Sequence, residues 1–416
     1  MQIKHLDAPG FGEALQLAMT HAPLVRRTET IGLWDALGRV TAQEIVCCKD
    51  LPAFDNSAMD GFAVKAGDAG KRVRVVATIL AGMDISPYLG EGECYKIMTG
   101  AKVPEDADCV VPIEKCPEVG EDWVRLPETI KEGDNLRKRG EEQKVGAVLI
   151  EKGERLTPAH IAMLSAQGIT AVKVYAPLRI AVASSGSELK EPWEEADAHT
   201  IYNANGFGMI AFLKRAGFSP SYVGSIPDEK EATIRFIGEL KGYDVIITTG
   251  GISMGEADYL AEAFEANGMQ PPLFHGVNVK PGRPTMMGLM GQTFVMAMPG
   301  NPLTTLLNLF LLSIPVLNKM QGNRHPYYPY VTAQNAAPFK AKPTRANLVL
   351  GKLIGGKFYA VRDNKVGSGM LTPLMEANCV AVFEAGRKMP EVGENIKVIL
   401  FDMNPSSKSN DSHNRP

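Results

Sequence analysis

A multi-domain α/β plus β fold is predicted, and three observations predict it. Between residues 177 and 326, short apolar runs alternate with stretches of helical period. Before that, residues 46–145 are a succession of short β-like runs split by Gly and Pro. After Pro326 the helical period stops and only short β-like runs follow. The first pattern is that of a doubly wound α/β domain, because strands covered on both faces read as continuous apolar runs.

Taken in order, residues 11–22 predict a short helix. Leu33, Trp34 and Leu37 form a second helical patch that stops near Gly38. The β-like texture of 46–145 includes Arg72–Leu80 and Asp108–Ile113. Thr157–Gly168 is a well-marked helix: Thr157 can cap it, Pro158 suits its first turn and Gly168 can end it. Because helical texture returns there, 46–145 reads as an inserted β-rich domain. Residues 1–45 and 146–176 then pack together as a discontinuous N-terminal domain of helical or mixed character. In 177–326, strands are expected at 179–183, 244–248 and 294–298, and helices at 205–216, 229–241, 258–267 and 302–318. The runs 348–353, 379–383 and 396–401 suggest a small β-barrel or sandwich over 327–403, followed by a polar, disordered tail at 404–416.

Composition excludes several classes of function. A chain of 416 residues exceeds one ordinary core, so two to four domains are expected. Its 45% hydrophobic and 22% charged content is that of a soluble globular protein. A net charge of −3 and the lack of a basic run argue against a nucleic-acid partner. The longest apolar run, Leu303–Leu317, is interrupted by Thr304, Thr305, Asn308, Ser313 and Pro315, too short and polar for a membrane span. The amino terminus lacks the apolar core of a signal peptide. Six cysteines without a CxxC pair or zinc spacing read as reduced, mostly buried thiols, which suits the cytoplasm.

Three loops at predicted strand ends are rich in small residues. They are Ser184-Ser185-Gly186-Ser187-Glu188, the stretch from Thr248 through Gly250, Gly251, Ser253 and Gly255 to Asp258, and Pro299-Gly300-Asn301-Pro302. Small residues let backbone N–H groups approach an anion, and a helix N-terminus adds a favourable dipole. One such loop is usually a tight turn. Three on one sheet edge point to a phosphate-bearing ligand. Neither G-x-x-x-x-G-K-[ST] nor a helix-opening G-x-G-x-x-G is present, against the ordinary NTPase and dinucleotide readings. Lys280 and Arg283, on the stiff turn Val279–Pro284, either neutralise an oxyanion or sit on a solvated turn.

The acidic residues divide similarly. Glu188 can hold Mg²⁺ beside a phosphate. Asp258 reads equally as a helix cap. Asp228, in Asp228-Glu229-Lys230-Glu231, reads first as part of a capping box. Asp60 has no following helix to cap. It lies in a stretch, 51–64, where Phe54, Met59 and Phe62 are expected to anchor the chain while Asp55, Asn56, Ser57 and Asp60 face a cleft.

Five segments in order, Leu51–Val64, Met98-Thr99-Gly100-Ala101, Thr248–Tyr259, Lys280–Pro284 and Pro299–Pro302, resemble the molybdopterin molybdenumtransferases, the MoeA enzymes and the gephyrin E domain. The resemblance covers nearly the whole chain except the tail. It implies a four-part elongated chain, with a molybdopterin-binding α/β domain and a C-terminal β-barrel, that forms a homodimer with a shared active site. It implies insertion of molybdate into the dithiolene of adenylyl-molybdopterin, with Mg²⁺-dependent release of AMP. Carried over by position, Asp60 and Thr99 look like active-site residues of the inserted domain, facing the α/β domain of the other subunit. Glu188, Asp228 and Asp258 match acidic family positions, Lys280 a basic one, and Arg345 and Ser368 C-terminal ones that approach the same cleft. With this, Asp228 stands evenly between the functional and capping readings.

Three positions depart from the family pattern: Glu142 stands where many members have Asp, Gly276 where some have Lys, and Leu350 where another basic residue is usual. His275 beside Gly276 compensates in part. Two rivals share features with this reading. A molybdopterin adenylyltransferase has the α/β fold but lacks the other parts. A non-catalytic scaffold would not need Asp60, Thr99, Glu188 and Asp258. Molybdate and tungstate are not distinguished by these loops.

Overall fold

A computed structural model of the chain describes residues 8–83, 88–252 and 259–401. The tail expected at 404–416 lies outside them. The chain divides into two compact units, one of residues 1–42, 153–156 and 172–416, the other of residues 43–152 and 157–171.

The larger unit is built on a six-stranded sheet. Its strand order is Ser221–Ile226, Ile180–Ser185, Val245–Thr249, Thr293–Met298, Met286–Met290 and Phe274–His275. The first four are parallel and the last two antiparallel. All three expected strands are there, as adjacent parallel members. Alternation then sorts their side chains onto two faces. Ile180, Val182, Val245, Ile247, Phe294 and Met296 enter one core, with residues of the helices Phe11–His21, Ala204–Arg215 and Pro302–Met320. Ala181, Ala183, Ile246, Val295 and Ala297 enter a second core, with the helices Lys230–Glu239 and Tyr259–Ala266. Helices on both faces make the sheet doubly wound. Each of the large side chains so buried contributes on the order of 1.5–3 kcal/mol.

The helix at 302–320 is longer than its sequence suggested. It is long and apolar enough to cross a membrane by length and composition, but 89% of its apolar window is buried within the fold. It is a core helix. Pro315 lacks the N–H that would bond back one turn. The helix accommodates it with a π-helical turn at Leu309–Ser313.

The same unit holds the expected β-barrel. Val331–Asn335, Lys357–Ala360, Ala346–Ile354, Cys379–Phe383 and Asn395–Leu400 pair in that order, and Asn395–Leu400 pairs back to Val331–Asn335, which closes the ring. Closure leaves no free edge within the ring. Val349, Phe358, Ala381, Phe383, Ile396 and Val398 fill it. Val279–Lys280 adds in parallel to Ala346–Asn347.

In the smaller unit a six-stranded sheet runs Cys109–Pro112, Gly61–Val64, Glu93–Ile97, Arg72–Ile79, Trp123–Arg125 and Glu118–Val119. Two small cores lie on its faces, one around Ile79, Leu89 and Ile97, the other around Phe62, Val73 and Leu126. The helix Pro158–Ala166 belongs to this unit; the Thr157 hydroxyl accepts its first-turn bond from the His160 N–H, at 3.4 Å, and Gly168 follows its end at φ +73°.

Candidate functional site

The strand order fixes where a ligand can sit. From Ile180–Ser185 the chain passes to the neighbour on one side, Ser221–Ile226, and then to the neighbour on the other, Val245–Thr249. That reversal opens a crevice beyond the carboxyl ends of the two central strands, the usual ligand site of an open α/β sheet. Loops 184–188 and 249–252 leave the two bordering strands, and 299–302 leaves the next one.

The three loops are packed backbone to backbone. Gly250 has φ +82°, and a Cβ there would lie 2.3 Å from the Ser185 carbonyl oxygen. A Cβ on Gly251 would lie 2.9 Å from Ser185 Oγ, and one on Gly300 would lie 3.7 Å from the Gly250 Cα. Only glycine allows this approach at position 250.

Two asparagines hold the loops from beneath. The Asn203 Oδ1 caps the helix Ala204–Arg215 by accepting from the Gly206 N–H, at 2.9 Å, and also accepts from Ser184 Oγ, at 3.1 Å. Its Nδ2 donates to the Tyr222 hydroxyl at 2.8 Å and to Glu191 at 3.2 Å. The Tyr222 hydroxyl donates in turn to Glu191. Burial, and then the Glu191 carboxylate, push the Tyr222 phenol up to about 12. Asn205 is buried, and its Nδ2 donates to Thr249 Oγ1 at 2.9 Å and to the Gly300 carbonyl at 2.6 Å. Thr249 Oγ1 donates to the Pro299 carbonyl at 2.9 Å, which also accepts from Thr305 Oγ1. Thr248 Oγ1 and Asn205 Oδ1 are buried without a hydrogen-bond partner among the described residues.

Of the predicted residues, Ser184, Gly186, Glu188, Gly250, Gly251, Pro299, Gly300, Asn301 and Pro302 therefore lie on one edge. Ser253, Gly255 and Asp258 lie outside the described residues. Ser368 joins the third loop: its hydroxyl accepts from Asn301 Nδ2 at 2.9 Å, and its carbonyl accepts from the Leu303 N–H at 3.1 Å. The Glu188 carboxylate is exposed and folds back over Gly186, where a Cβ would lie 2.7 Å from its Oε2.

Lys280, Arg283 and Arg345 are exposed cations with no ion-pair or hydrogen-bonded side-chain partner among the described residues. Lys280 stands opposite Asn347 in register, two residues from Arg345. Their turn is fastened to both sides of the crevice. Asn308, of the helix after the third loop, donates to the Gly282 carbonyl at 2.9 Å, and a His275 ring nitrogen lies 3.3 Å from the Ile252 carbonyl oxygen of the second loop. Gly276 is buried at φ +106°, a conformation that favours glycine over a second lysine. Leu350 is a core residue of the barrel strand, 2% exposed. Glu142 is exposed.

Two expectations are corrected. The helix Lys230–Glu239 starts from Glu229 with no side-chain cap, and Asp228 makes no capping bond. Thr233 Oγ1 donates back to the Pro227 and Glu229 carbonyls, at 2.7 and 2.8 Å, and the exposed Asp228 carboxylate has no partner among the described residues. The stretch 51–64 departs in part from its expected orientation. Phe54 and Met59 are exposed, 41% and 43%, while Asn56 and Ser57 are buried, and of the three expected anchors only Phe62 is inside. Pairing decides this: Asn56–Ser57 forms a short antiparallel bridge with Leu136–Arg137, and Ser57 exchanges backbone bonds with Gly100 and Ala101. Asp55 is spent on Lys138 Nζ and the Arg139 N–H, at 3.0 and 2.7 Å.

Asp60 and Thr99 are in direct contact. The Thr99 N–H and hydroxyl both donate to Asp60 Oδ1, at 2.7 and 2.8 Å. These two bonds, the backbone one first, hold the Asp60 carboxyl below the usual carboxylate range. Immediately after it, a Cβ on Gly61 would lie 2.2 Å from the Val111 carbonyl oxygen, so the carboxylate is set at the start of a tightly paired strand.

Sequence reasoning missed Asn203, Asn205, Glu191 and Tyr222. The one available signal was an asparagine before a helical run, Tyr202-Asn203-Ala204-Asn205, which by itself indicates only a cap.

Similarity to known proteins covers the same regions. Residues 10–168 match the MoeA N-terminal region (domain I and II), 181–319 a probable molybdopterin binding domain, and 332–401 the MoeA C-terminal region (domain IV). The molybdopterin molybdenumtransferase of Bacillus subtilis is 32% identical over 387 residues, 90% of each chain. That of Haemophilus influenzae is 29% identical over 400 residues, 94% of this chain and 98% of the relative. Among solved structures, the molybdopterin biosynthesis MoeA protein of Pyrococcus horikoshii superposes with a TM-score of 0.82 at 26% identity, over 94% of this chain and all of the other.

Proposed function

The chain belongs to the molybdopterin molybdenumtransferase family, and from that premise we propose that it inserts molybdate into the dithiolene of adenylyl-molybdopterin, with Mg²⁺-dependent release of AMP, in molybdenum cofactor biosynthesis. The observation that carries this reading is the convergence of three small-residue loops at the strand reversal, with Ser368 of the barrel unit's loop bonded to the third. Such an edge offers N–H donors and hydroxyls to a long, phosphate-bearing anion.

The residues divide the work by chemistry. Ser184, Gly186, Gly250, Gly251 and Pro299–Pro302 cradle the pterin phosphate and adenylate. Lys280, Arg283 and Arg345, without an ion-pair partner among the described residues, attract the molybdate dianion. Ser368 supplies a hydroxyl. Asp60, with Thr99 keeping it ionised, and Asp228 and Asp258 serve the reacting centre, where metal transfer is coupled to hydrolysis of the adenylate. Among the described residues no group of three or more His, Cys, Asp or Glu gathers as a metal cage. Glu188 alone, an exposed hard-oxygen donor beside the first loop, fits a Mg²⁺ ion held mostly by water and phosphate oxygens. Bound there, Mg²⁺ would polarise the phosphoanhydride as a Lewis acid.

The proposal extends to a four-part division (1–45 with 146–176, 46–145, 177–326 and 327–403), a homodimer with a shared active site, and a cytoplasmic setting suited to six free cysteines. The test is to incubate the pure protein with adenylyl-molybdopterin, molybdate and Mg²⁺ and follow AMP release and bound molybdenum. Both should appear together. AMP release without metal capture, or neither, sinks the reading.

A further inference from the structure

The three loops are separate in sequence, yet one short segment touches all of them. Asn203 bonds Ser184 of the first loop, and Asn205 bonds Thr249 of the second and the Gly300 carbonyl of the third. Ala204 between them begins a helix whose first turn is capped by Asn203 itself. We propose that Asn203 and Asn205 are positioning residues, which lock the three anion-binding loops into one mutual arrangement and so set affinity for the phosphate-bearing substrate. The inference rests on the transferase reading for the identity of that substrate.

The geometry makes the role specific. A buried amide that spends both hydrogens on acceptors in two different loops fixes the distance between those loops. No hydroxyl can do this, since it has one hydrogen, and no carboxylate can, since it has none. The assignment of Asn205 nitrogen and oxygen is forced, because the Gly300 carbonyl only accepts. Asn203 works the other way round: its oxygen takes the Ser184 and Gly206 donors while its nitrogen reaches Tyr222 and Glu191. The half-buried Tyr222–Glu191 pair, joined by the phenol hydroxyl, is the point against which that nitrogen is oriented.

The experiment compares Asn205→Asp, Asn203→Asp and Asn335→Asp. Asn335 is a buried barrel asparagine whose Nδ2 also donates to two carbonyls, Pro390 and Glu391, both at 3.2 Å, so its variant reports the purely structural cost of the same change. AMP is the probe, by isothermal titration calorimetry, together with KM and kcat for AMP release and the thermal midpoint. Asn205→Asp should weaken AMP binding and raise KM by roughly tenfold, the loss expected for one bridging hydrogen bond, with kcat within about threefold of the original. Asn203→Asp, which keeps the accepting oxygen, should show a smaller rise in KM. Asn335→Asp should lower the thermal midpoint and leave KM alone. If Asn205→Asp behaves like Asn335→Asp, losing stability but not AMP affinity, the positioning role is overturned. If the unmodified protein binds AMP but turns nothing over, the transferase reading falls while the affinity comparison still decides the role of Asn205. If it does neither, both fall.

Discussion

In the α/β sheet, loops 184–188, 249–252 and 299–302 are fixed from below by buried side chains, Asn203, Asn205, Thr249 and Thr305. In the smaller unit, Asp60 is an exposed carboxylate fixed, among the described residues, by Thr99. The two clusters make opposite compromises. The strand-end loops draw their geometry from the core, so altering that geometry costs stability as well as ligand affinity. In its proposed role the Asp60 turn carries its chemistry on a tip, so altering the side chain should cost function with little effect on folding.

The sharpest way to break that contrast is Asp60→Ala. An exposed acceptor whose one side-chain partner among the described residues is Thr99 can be removed without exposing a cavity. AMP release coupled to molybdenum capture should fall by on the order of 100-fold or more, the scale of losing one preorganised electrostatic group. The thermal midpoint should stay where it is. A normal turnover number would return this turn to an ordinary surface loop.

Gly250→Ala should do the reverse. A methyl group 2.3 Å from the Ser185 carbonyl oxygen, on a residue at φ +82°, forces the first and second loops apart. Denaturant unfolding should show a loss of about 1–3 kcal/mol, with substrate affinity falling alongside. An unchanged unfolding midpoint would mean the two loops are not packed as tightly as their backbones indicate. Ser368→Ala is milder: it removes one acceptor for Asn301 at the rim, and about 0.5–1.5 kcal/mol of stability with it, read from the same unfolding curves.

How much of this was legible follows from which interactions are local. The runs at 179–183, 244–248 and 294–298 announced themselves because strands covered on both faces must be apolar throughout, and the loops after them because small residues are conspicuous. The orientation of 51–64 was not legible. The burial of Asn56 and Ser57 goes with their pairing to Leu136–Arg137, about 80 residues away, which no local pattern reports. The Asp228 motif was legible but misleading, since the helix Lys230–Glu239 starts at Glu229 with no side-chain cap. Asn205 was invisible for the same reason as Asn56. Its meaning lies in partners at positions 249 and 300, and no spacing rule connects them.

The smallest effect concerns the acidity of Asp60. Two Thr99 donors favour the ionised form, so its folded pKa lies below the ordinary 3.8. The sign follows from linkage. A depressed carboxylate favours the folded state above the unfolded pKa, and that contribution disappears as pH falls through the folded value. Since the group is fully exposed, little of this reaches global stability, and the observable is the titration itself. Thr99→Val keeps the backbone donor, the larger of the two causes, and deletes the hydroxyl. The Asp60 midpoint, followed by carboxyl carbon NMR, should therefore rise only part of the way towards 3.8. The acidic limb of the activity profile should move up by the same amount. A midpoint that does not move would assign the whole effect to the Thr99 N–H, and the tip would then owe its acidity to the backbone, as the strand-end loops owe their shape to the core.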